Sequence, residues 1–172
     1  SYRTKIIEQY TKLTHAHPRS IVASILYVQL LIGFLLNIRL EKILCQSKPY
    51  FEDYFKKKPE YWEEYQEHFS EIFDREFYQK SMEDIASTGY VVDTLKACLW
   101  CLGTTDSFEE AVLKAVNLGG DTDTIGAITG TLAGAHYQLE GIPEKWIHQL
   151  ANRELIDEKC RQLLEHLYKQ SK

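Results

Sequence analysis

Apolar residues recur along this chain at the 3.6-residue period of an α-helix, and no stretch shows the two-residue alternation of a β-strand. The longest apolar run extends from Ile21 to Leu36 and is interrupted only by Ser24 and Gln29. A helix of that length measures about 24 Å, which is short of the roughly 30 Å hydrocarbon core of a membrane. The run therefore predicts a buried helix over 20–37, at the centre of a bundle, rather than a membrane span.

Amphipathic segments on both sides of this run predict further helices and, with it, an all-α fold. The stretch 48–80 is the least regular, because Pro49 and Pro59 interrupt it and aromatic and charged residues interleave throughout. After Pro59 the aromatic residues follow helical spacing, which favours a helix with a buried aromatic face. We expect one compact domain over 1–172 with seven or eight helices. The other predicted helices occupy residues 1–14, 90–102, 108–117, 122–141 with Gly141 as C-cap, 146–150 and 153–168.

Glycines cluster around the start of one predicted helix in the last third of the chain. Gly119 and Gly120 allow the backbone to turn where a side chain would clash. Gly126, Gly130 and Gly134 follow at four-residue spacing, which places them on one helix face and allows another backbone to approach closely. Three glycines cost a helix about 3 kcal/mol relative to alanine. We expect tight packing beside a functional site to offset that cost.

Four oxygen-bearing residues follow the two turn glycines, namely Asp121, Thr122, Asp123 and Thr124. One interpretation is a helix N-cap, in which an acid accepts hydrogen bonds from free amides and complements the helix dipole. The other is a divalent cation site, because carboxylate and hydroxyl oxygens are the hard ligands that Mg²⁺ and Ca²⁺ prefer. An EF-hand loop is excluded, since no bidentate acid follows at the required spacing. Residue chemistry alone leaves the cap and the cation site open.

The segment from Asn117 to Gly134 resembles the C-terminal signature of the ADP-ribosylglycohydrolases, because it contains the run Gly-Gly-Asp-Thr-Asp-Thr-Ile-Gly. The resemblance covers most of the chain apart from a divergent middle, and it implies a fold like the C-terminal part of that family. It also implies a hydrolase that removes ADP-ribose from a protein side chain or small acceptor, assisted by Mg²⁺. The other matching segments are 14–18, 89–95, 97–100, 108–112 and 141–146.

The resemblance implies a two-metal site in which Asp121, Asp123 and Thr124 bind Mg²⁺, or Mn²⁺ in its place. The family's other metal ligands, in a Thr-Asp-Asp cluster, and its catalytic Glu belong to an N-terminal half that also carries a Gly-Asp-x-x-Gly segment. None of these appears before Thr14 in this sequence. We therefore expect a truncated or split piece or a diverged remnant, inactive by itself, with its catalytic residues unknown.

Four further residues are candidates for contacting the ligand. His15 matches a family histidine near bound ADP-ribose, and Gly119 and Gly120 belong to the signature. Tyr90 follows a glycine in a family-like segment, although a packed core tyrosine explains it equally well. A metal pair formed by His15 and His17 is disfavoured, because loop histidines are usually solvated or cap a helix.

Composition narrows the range of partners and compartments. The net charge is −5, from 25 acidic and 20 basic residues, which argues against a general binder of nucleic acid. No signal peptide is visible at the start of the sequence, so we expect a cytoplasmic protein with four reduced cysteines and no membrane association. Cys98 and Cys101 form a lone C-x-x-C on an apolar helix, which indicates core packing rather than a zinc or redox site.

The expected partners are ADP-ribose or an ADP-ribosylated protein, together with a complementing N-terminal half or a second copy of the chain. The sequence does not distinguish among arginine, serine and O-acetyl acceptors. One alternative is a non-catalytic relative that binds ADP-ribose or serves a structural role, like the jellyfish lens crystallins that resemble this family. A less favoured alternative is another Mg²⁺-dependent hydrolase acting on a phosphorylated substrate, since only Gly119 and Gly120 suggest a phosphate-binding loop.

Overall fold

All regular secondary structure in residues 2–170, the part of the chain that the computed structural model describes, is helical. The predicted all-α class is confirmed. Residue 1 of the predicted first helix and residues 171–172 of the predicted domain lie outside the described part. The nine α-helices of this described part are α1 (Tyr2–Thr11), α2 (Pro18–Leu35), α3 (Leu40–Phe55), α4 (Pro59–Glu64), α5 (Val91–Gly103), α6 (Phe108–Asn117), α7 (Thr122–Tyr137), α8 (Glu144–Gln149) and α9 (Arg153–Gln170).

The chain divides into two compact units, Ser1–Gly141 and Ile142–Lys172, and the expectation of one domain over 1–172 stays a prediction. The first unit contains α1 to α7 and the buried core. The second contains the short helix α8 and the long helix α9, and neither has a buried residue. The leucines of α9 that the pattern placed on an apolar face, among them Leu163 and Leu167, are exposed.

Helix α2 is the centre of the first unit and contacts α1, α3, α4, α5 and α7. Pro18 occupies its first turn, and the His17 ring nitrogen Nδ1 accepts a hydrogen bond from the Arg19 amide at 3.2 Å, so His17 caps the helix. By length and composition α2 could cross a membrane, yet 44% of it is buried inside the protein. That burial agrees with the predicted core helix.

The stretch after Pro59 buries the predicted aromatic face, but the prediction of a regular helix there is wrong beyond α4. Tyr61, Tyr65 and Phe69 are buried, and residues Tyr65–Phe69 form a π-helical turn. Their four-residue spacing exceeds the 3.6 residues of an α-helical turn, and the wider π turn keeps them on one side. Short 3₁₀ turns at Ser70–Phe73, Arg75–Gln79 and Met82–Asp84 then lead to α5.

Helix α7 packs its glycine face against α6, as the four-residue spacing predicted, but side chains rather than backbone occupy the space. A Cβ atom on Gly126 would lie 3.1 Å from Val116 Cγ1, which is a tight contact. The other two glycines have ordinary contact distances. The pairs are Gly126 with Val116, Gly130 with Val112 at 3.9 Å, and Gly134 with Phe108 at 3.8 Å.

The C-cap of helix α7 is Gln138, whose φ is +59°, so the prediction of Gly141 as the C-cap is wrong. Gly141 instead ends a 3₁₀ turn, Leu139–Gly141. In α5, Cys98 and Cys101 are buried free thiols, in agreement with the predicted core role. Burial raises the pKa of each to about 12, which disfavours a reactive thiolate.

Candidate ligand and cation site

The turn that precedes α7 has the backbone that its glycines predicted. Gly119 and Gly120 have φ of +79° and +64°, in the left-handed region that favours glycine. Around Gly119 there is open space, whereas a Cβ on Gly120 would lie 2.2 Å from the Ser87 carbonyl oxygen. The second glycine therefore brings the turn against the loop that leads into α5.

Asp121 occupies the N-cap position of α7 but makes no side-chain cap hydrogen bond. Its amide donates to the Ser87 carbonyl at 2.9 Å, and its Oδ1 accepts a hydrogen bond from Thr124 Oγ1 at 2.9 Å. Its Oδ2 lies beside Gly89, 2.5 Å from the position that a Cβ there would take. The cap interpretation therefore does not describe this side chain.

Asp123 is exposed on the first turn of α7. The neighbouring Asp121 carboxyl and then the backbone amides of Thr124 and Asp123 hold the pKa of Asp123 below its ordinary value. Asp123 is therefore the acid that complements the free amides of the helix start. The two carboxyls belong to residues only two positions apart, and a bound cation would stabilise the pair.

Within residues 2–170, no group of three or more His, Cys, Asp or Glu side chains is placed to hold a metal ion. The start of α7 supplies two carboxylates and the Thr124 hydroxyl. These are hard oxygen donors, which fit Mg²⁺ or Mn²⁺, although Mg²⁺ prefers six ligands in an octahedral arrangement. The donor set of this chain fits part of a divalent cation site and leaves further positions for water, ligand or another chain.

The loop 87–90 is held on both sides. Ser87 Oγ donates to the Leu118 carbonyl at 3.4 Å, on the side of the glycine turn. On the side of α5, Thr88 Oγ1 donates to Asp93 Oδ2 at 2.6 Å, and Thr94 Oγ1 donates to the Thr88 carbonyl at 3.1 Å. Sequence reasoning included 89–95 in a family-like segment and named Tyr90 as a candidate ligand contact, but it missed the contacts of this loop with Asp121.

Tyr90 ends this loop and is 41% exposed, so it is not a packed core tyrosine. Its hydroxyl accepts a hydrogen bond from the Arg19 guanidinium, whose Cζ lies 5.6 Å from the Tyr90 ring centroid. Arg19 Nε in turn donates to a carboxylate oxygen of Glu64. This hydrogen bond raises the pKa of Arg19, and the hydrogen bond to Tyr90 raises it by a smaller amount. Arg19 and Glu64 therefore fix the side chain of Tyr90 beside the Asp121 loop.

His15 lies exposed in the linker between α1 and α2, and its Nδ1 is 3.0 Å from Thr14 Oγ1. It stands four residues before Arg19, whose side chain contacts Tyr90. Gly120, Asp121 and Tyr90 thus lie on two segments that contact each other, the turn before α7 and the loop 87–90. It places His15 on the linker leading to the helix whose first turn contacts Tyr90.

A cavity of about 620 Å³ lies among α1, α2, α5 and α7. Most of its lining is apolar, with Ile7 and Leu95 as examples, and Tyr27 contributes an aromatic ring. Gly89 and Thr124 also line the cavity. These two residues contact Asp121, so the cavity reaches the surroundings of that carboxylate, although neither Asp121 nor Asp123 lines it.

Comparison with known proteins gives a family match across nearly the whole chain. The family model described as ADP-ribosylglycohydrolase matches residues 3–172. The chain is 43% identical over 88 residues to the ADP-ribosylarginine hydrolase Tri1 of Serratia proteamaculans, covering 51% of this chain and 24% of that protein. It is 44% identical over 64 residues to the ADP-ribosyl-[dinitrogen reductase] glycohydrolase of Rhodospirillum rubrum, covering 37% of this chain and 22% of that protein.

A third relative is the ADP-ribosylhydrolase ARH3 of Mus musculus, 44% identical over 43 residues, which are 25% of this chain and 12% of that protein. The chain thus spans about a quarter, or less, of the length of these relatives.

Proposed function

Because the chain belongs to the ADP-ribosylglycohydrolase family, we propose that it forms part of an enzyme that hydrolyses the bond between ADP-ribose and an acceptor. The observation that carries the proposal is the placement of Asp121. Its carboxylate accepts a hydrogen bond from Thr124 and lies in the space that Gly89 leaves, and it makes no helix-cap hydrogen bond. Both Thr124 and Gly89 line the 620 Å³ cavity. A fixed carboxylate beside a cavity is suited to binding a cation and, through it, a polar ligand.

Asp121, Asp123 and Thr124 would hold Mg²⁺, or Mn²⁺ in its place, in a site of two ions. The cation would stabilise negative charge and orient oxygen ligands such as ribose hydroxyls or a water molecule. The donor set supports the proposal because it contains only hard oxygens. The other metal ligands come from an N-terminal half of the family type, which agrees with the incomplete donor set in the described part of the chain.

The ligand is ADP-ribose, alone or attached to a protein. Tyr90 is held exposed by Arg19, and its ring offers a flat surface on which a sugar or base can pack. Gly119 allows the ligand to approach the backbone of the turn, because nothing lies within 4 Å of where its Cβ would stand, and Gly120, which packs against Ser87, would contact the ligand beside it. His15 is the fourth contact residue, on the linker that precedes Arg19.

Hydrolysis of a ribosyl bond needs a group that donates a proton to the leaving atom and a positioned water molecule. We assign neither role to a residue of this chain. The acid or base is the Glu of the complementing half, so this chain by itself binds but does not turn over substrate. The complementing half is the proposed partner, either as a separate chain or as part of a longer one.

The test is a hydrolysis assay with Mg²⁺ on ADP-ribosyl-arginine, ADP-ribosyl-serine and O-acetyl-ADP-ribose. The chain is assayed alone and mixed with the part of the Serratia relative that lies outside its matched region. We expect no turnover by the chain alone and turnover of one acceptor class in the mixture. Turnover by the chain alone would contradict the half-site, and absence of turnover in both would contradict the hydrolase function.

The incomplete donor set also favours a second candidate, a non-catalytic protein that binds ADP-ribose or serves a structural role like the crystallins that resemble this family. Binding of ADP-ribose without turnover in the mixture would support the binding protein. Neither binding nor turnover, with the fold retained, would support the structural role.

A further inference from the structure

We propose that Gly89 is a positioning residue for Asp121: the absence of a side chain at position 89 leaves the space that one carboxylate oxygen of Asp121 occupies. This inference rests on the proposed function, because it assigns the carboxylate a role as a cation ligand. It concerns a residue that contacts Asp121 from a different loop and that would not itself bind the cation.

The Asp121 carboxylate lies beside Gly89. Oδ1 of Asp121 accepts the hydrogen bond from Thr124, and Oδ2 lies 2.5 Å from where a Cβ of residue 89 would stand. Real Cβ atoms do not approach an oxygen so closely, so any side chain at position 89 would displace the carboxylate.

Backbone hydrogen bonds prevent Asp121 from moving to make room for a side chain at position 89. Its amide donates to the Ser87 carbonyl at 2.9 Å, and its carbonyl accepts from the Ile125 amide at 3.1 Å. Gly120, the preceding residue, is itself in contact with the Ser87 carbonyl. The residue is fixed on both sides, so a clash at position 89 has to be relieved by rotation of the Asp121 side chain.

Gly89 differs from the turn glycines in its backbone conformation. Gly119 and Gly120 have left-handed φ angles, whereas Gly89 does not. Gly89 is also exposed. An alanine at position 89 therefore meets no backbone strain, and its main effect falls on the Asp121 carboxylate. That makes Gly89→Ala a selective probe of the carboxylate.

The test compares Gly89→Ala with Gly130→Ala, a matched glycine-to-alanine change whose Cβ would lie 3.9 Å from Val112 Cγ2. Calorimetric titration with MgCl₂, in the presence of ADP-ribose, measures the cation affinity of both variants and of the unchanged chain. Changes beside metal ligands typically weaken metal binding by about 10–100-fold. We expect a loss in that range for Gly89→Ala and unchanged affinity for Gly130→Ala. Equal affinities of Gly89→Ala and the unchanged chain would overturn the inference.

A crystal structure of Gly89→Ala grown with EDTA tests the inference without any cation. The expected result is a rotated Asp121 side chain that no longer accepts the Thr124 hydrogen bond. A carboxylate that keeps its 2.9 Å contact with Thr124 would overturn the inference even if the cation affinity had fallen. If the unchanged chain binds no Mg²⁺ while the variant's Asp121 rotates as expected, the proposed cation function fails and the positioning role of Gly89 stands.

Discussion

The glycines around the start of α7 and those along its length differ in what they contact. At the start, the neighbours are polar, since Gly89 faces Asp121 Oδ2 and Gly120 faces the Ser87 carbonyl. Along the helix, the neighbours are the apolar side chains of α6 that fill the spaces beside Gly126, Gly130 and Gly134.

Glycine therefore has different structural roles in these two neighbouring regions. The helix glycines set the distance between α6 and α7, and so contribute to packing. The loop glycines set where a carboxylate and a carbonyl can lie, and so contribute to the site. Changes in the helix set should therefore alter stability alone, whereas a change at Gly89 should alter the site with little effect on stability.

The largest expected loss of stability is for Gly120→Ala. The change imposes a left-handed φ on an alanine and directs its Cβ at the Ser87 carbonyl, so we expect destabilisation by about 3 kcal/mol. Gly119→Ala is the control, because it has a left-handed φ but open space around it, and should lose about 1 kcal/mol. Urea unfolding measures both. Equal losses would show that contact with the Ser87 loop contributes nothing.

The next prediction concerns Asp123, where cation binding and stability can be measured separately. Asp123→Asn should remove the stabilisation by Mg²⁺, which is about 2.7 kcal/mol for a cation present at 100 times its Kd. Without Mg²⁺ the loss of stability should be small, because Asn removes only the charge with which the exposed Asp123 complements the helix start. Thermal unfolding with MgCl₂ and with EDTA gives both quantities. A variant that keeps the full response to Mg²⁺ would exclude Asp123 as a ligand.

A smaller effect of opposite sign is expected in the body of α7. Gly134→Ala should stabilise the chain by up to about 1 kcal/mol, because alanine favours the helix and its Cβ meets Phe108 at an ordinary 3.8 Å. Gly126→Ala should gain less or lose stability, since its Cβ would lie 3.1 Å from Val116. Neither should change Mg²⁺ affinity. A change in affinity in either variant would break the distinction between the two sets of glycines.

The smallest effect lies away from α7 and depends on pH. Burial by itself would raise the pKa of Glu8, but hydrogen bonds from Lys12, Lys58 and Tyr61 lower it to about 2, from 4.5. Both ion pairs of Glu8, with Lys12 and with Lys58, are 2.6 Å long. The pair with Lys12 is local, and the pair with Lys58 connects α1 to the start of α4. A lowered acid pKa stabilises the fold above the unfolded value, and this contribution is lost as pH falls from about 4.5 towards 2.

Glu8→Gln should therefore reduce stability near pH 7 by less than about 1 kcal/mol, as for other pairs near the surface. The difference from the unchanged chain should vanish near pH 2. Urea unfolding across this pH range measures it. A difference that persists at pH 2 would mean that packing of the side chain, rather than its charge, supports α1.

Periodicity was enough to predict the helical class, the buried helix α2 and the bounds of α6. It failed where a feature depends on contacts between distant segments. The pattern shows Tyr61, Tyr65 and Phe69 on one face, but it does not show that a π turn keeps them there. It also missed α3, because Pro49 suggests a break. The helix instead continues through Pro49, and Cys45, one turn before the proline, is exposed.

The candidate site was predicted in part. The glycine turn and the oxygen cluster at the start of α7 could be recognised because they are contiguous in sequence. The roles of Ser87, Gly89 and Arg19 could not, because each acts on a residue at least 30 positions away. Metal binding by Asp121, Asp123 and Thr124, and ligand contact by His15, Gly119, Gly120 and Tyr90, stay predictions.

The most direct test of the account is a calorimetric titration of the chain with ADP-ribose in MgCl₂ and in EDTA. The account claims that the start of α7 binds a cation and, through it, ADP-ribose. It predicts binding in MgCl₂ that EDTA abolishes and that Asp123→Asn weakens. Binding that is equally tight in EDTA, or none under either condition, would contradict it.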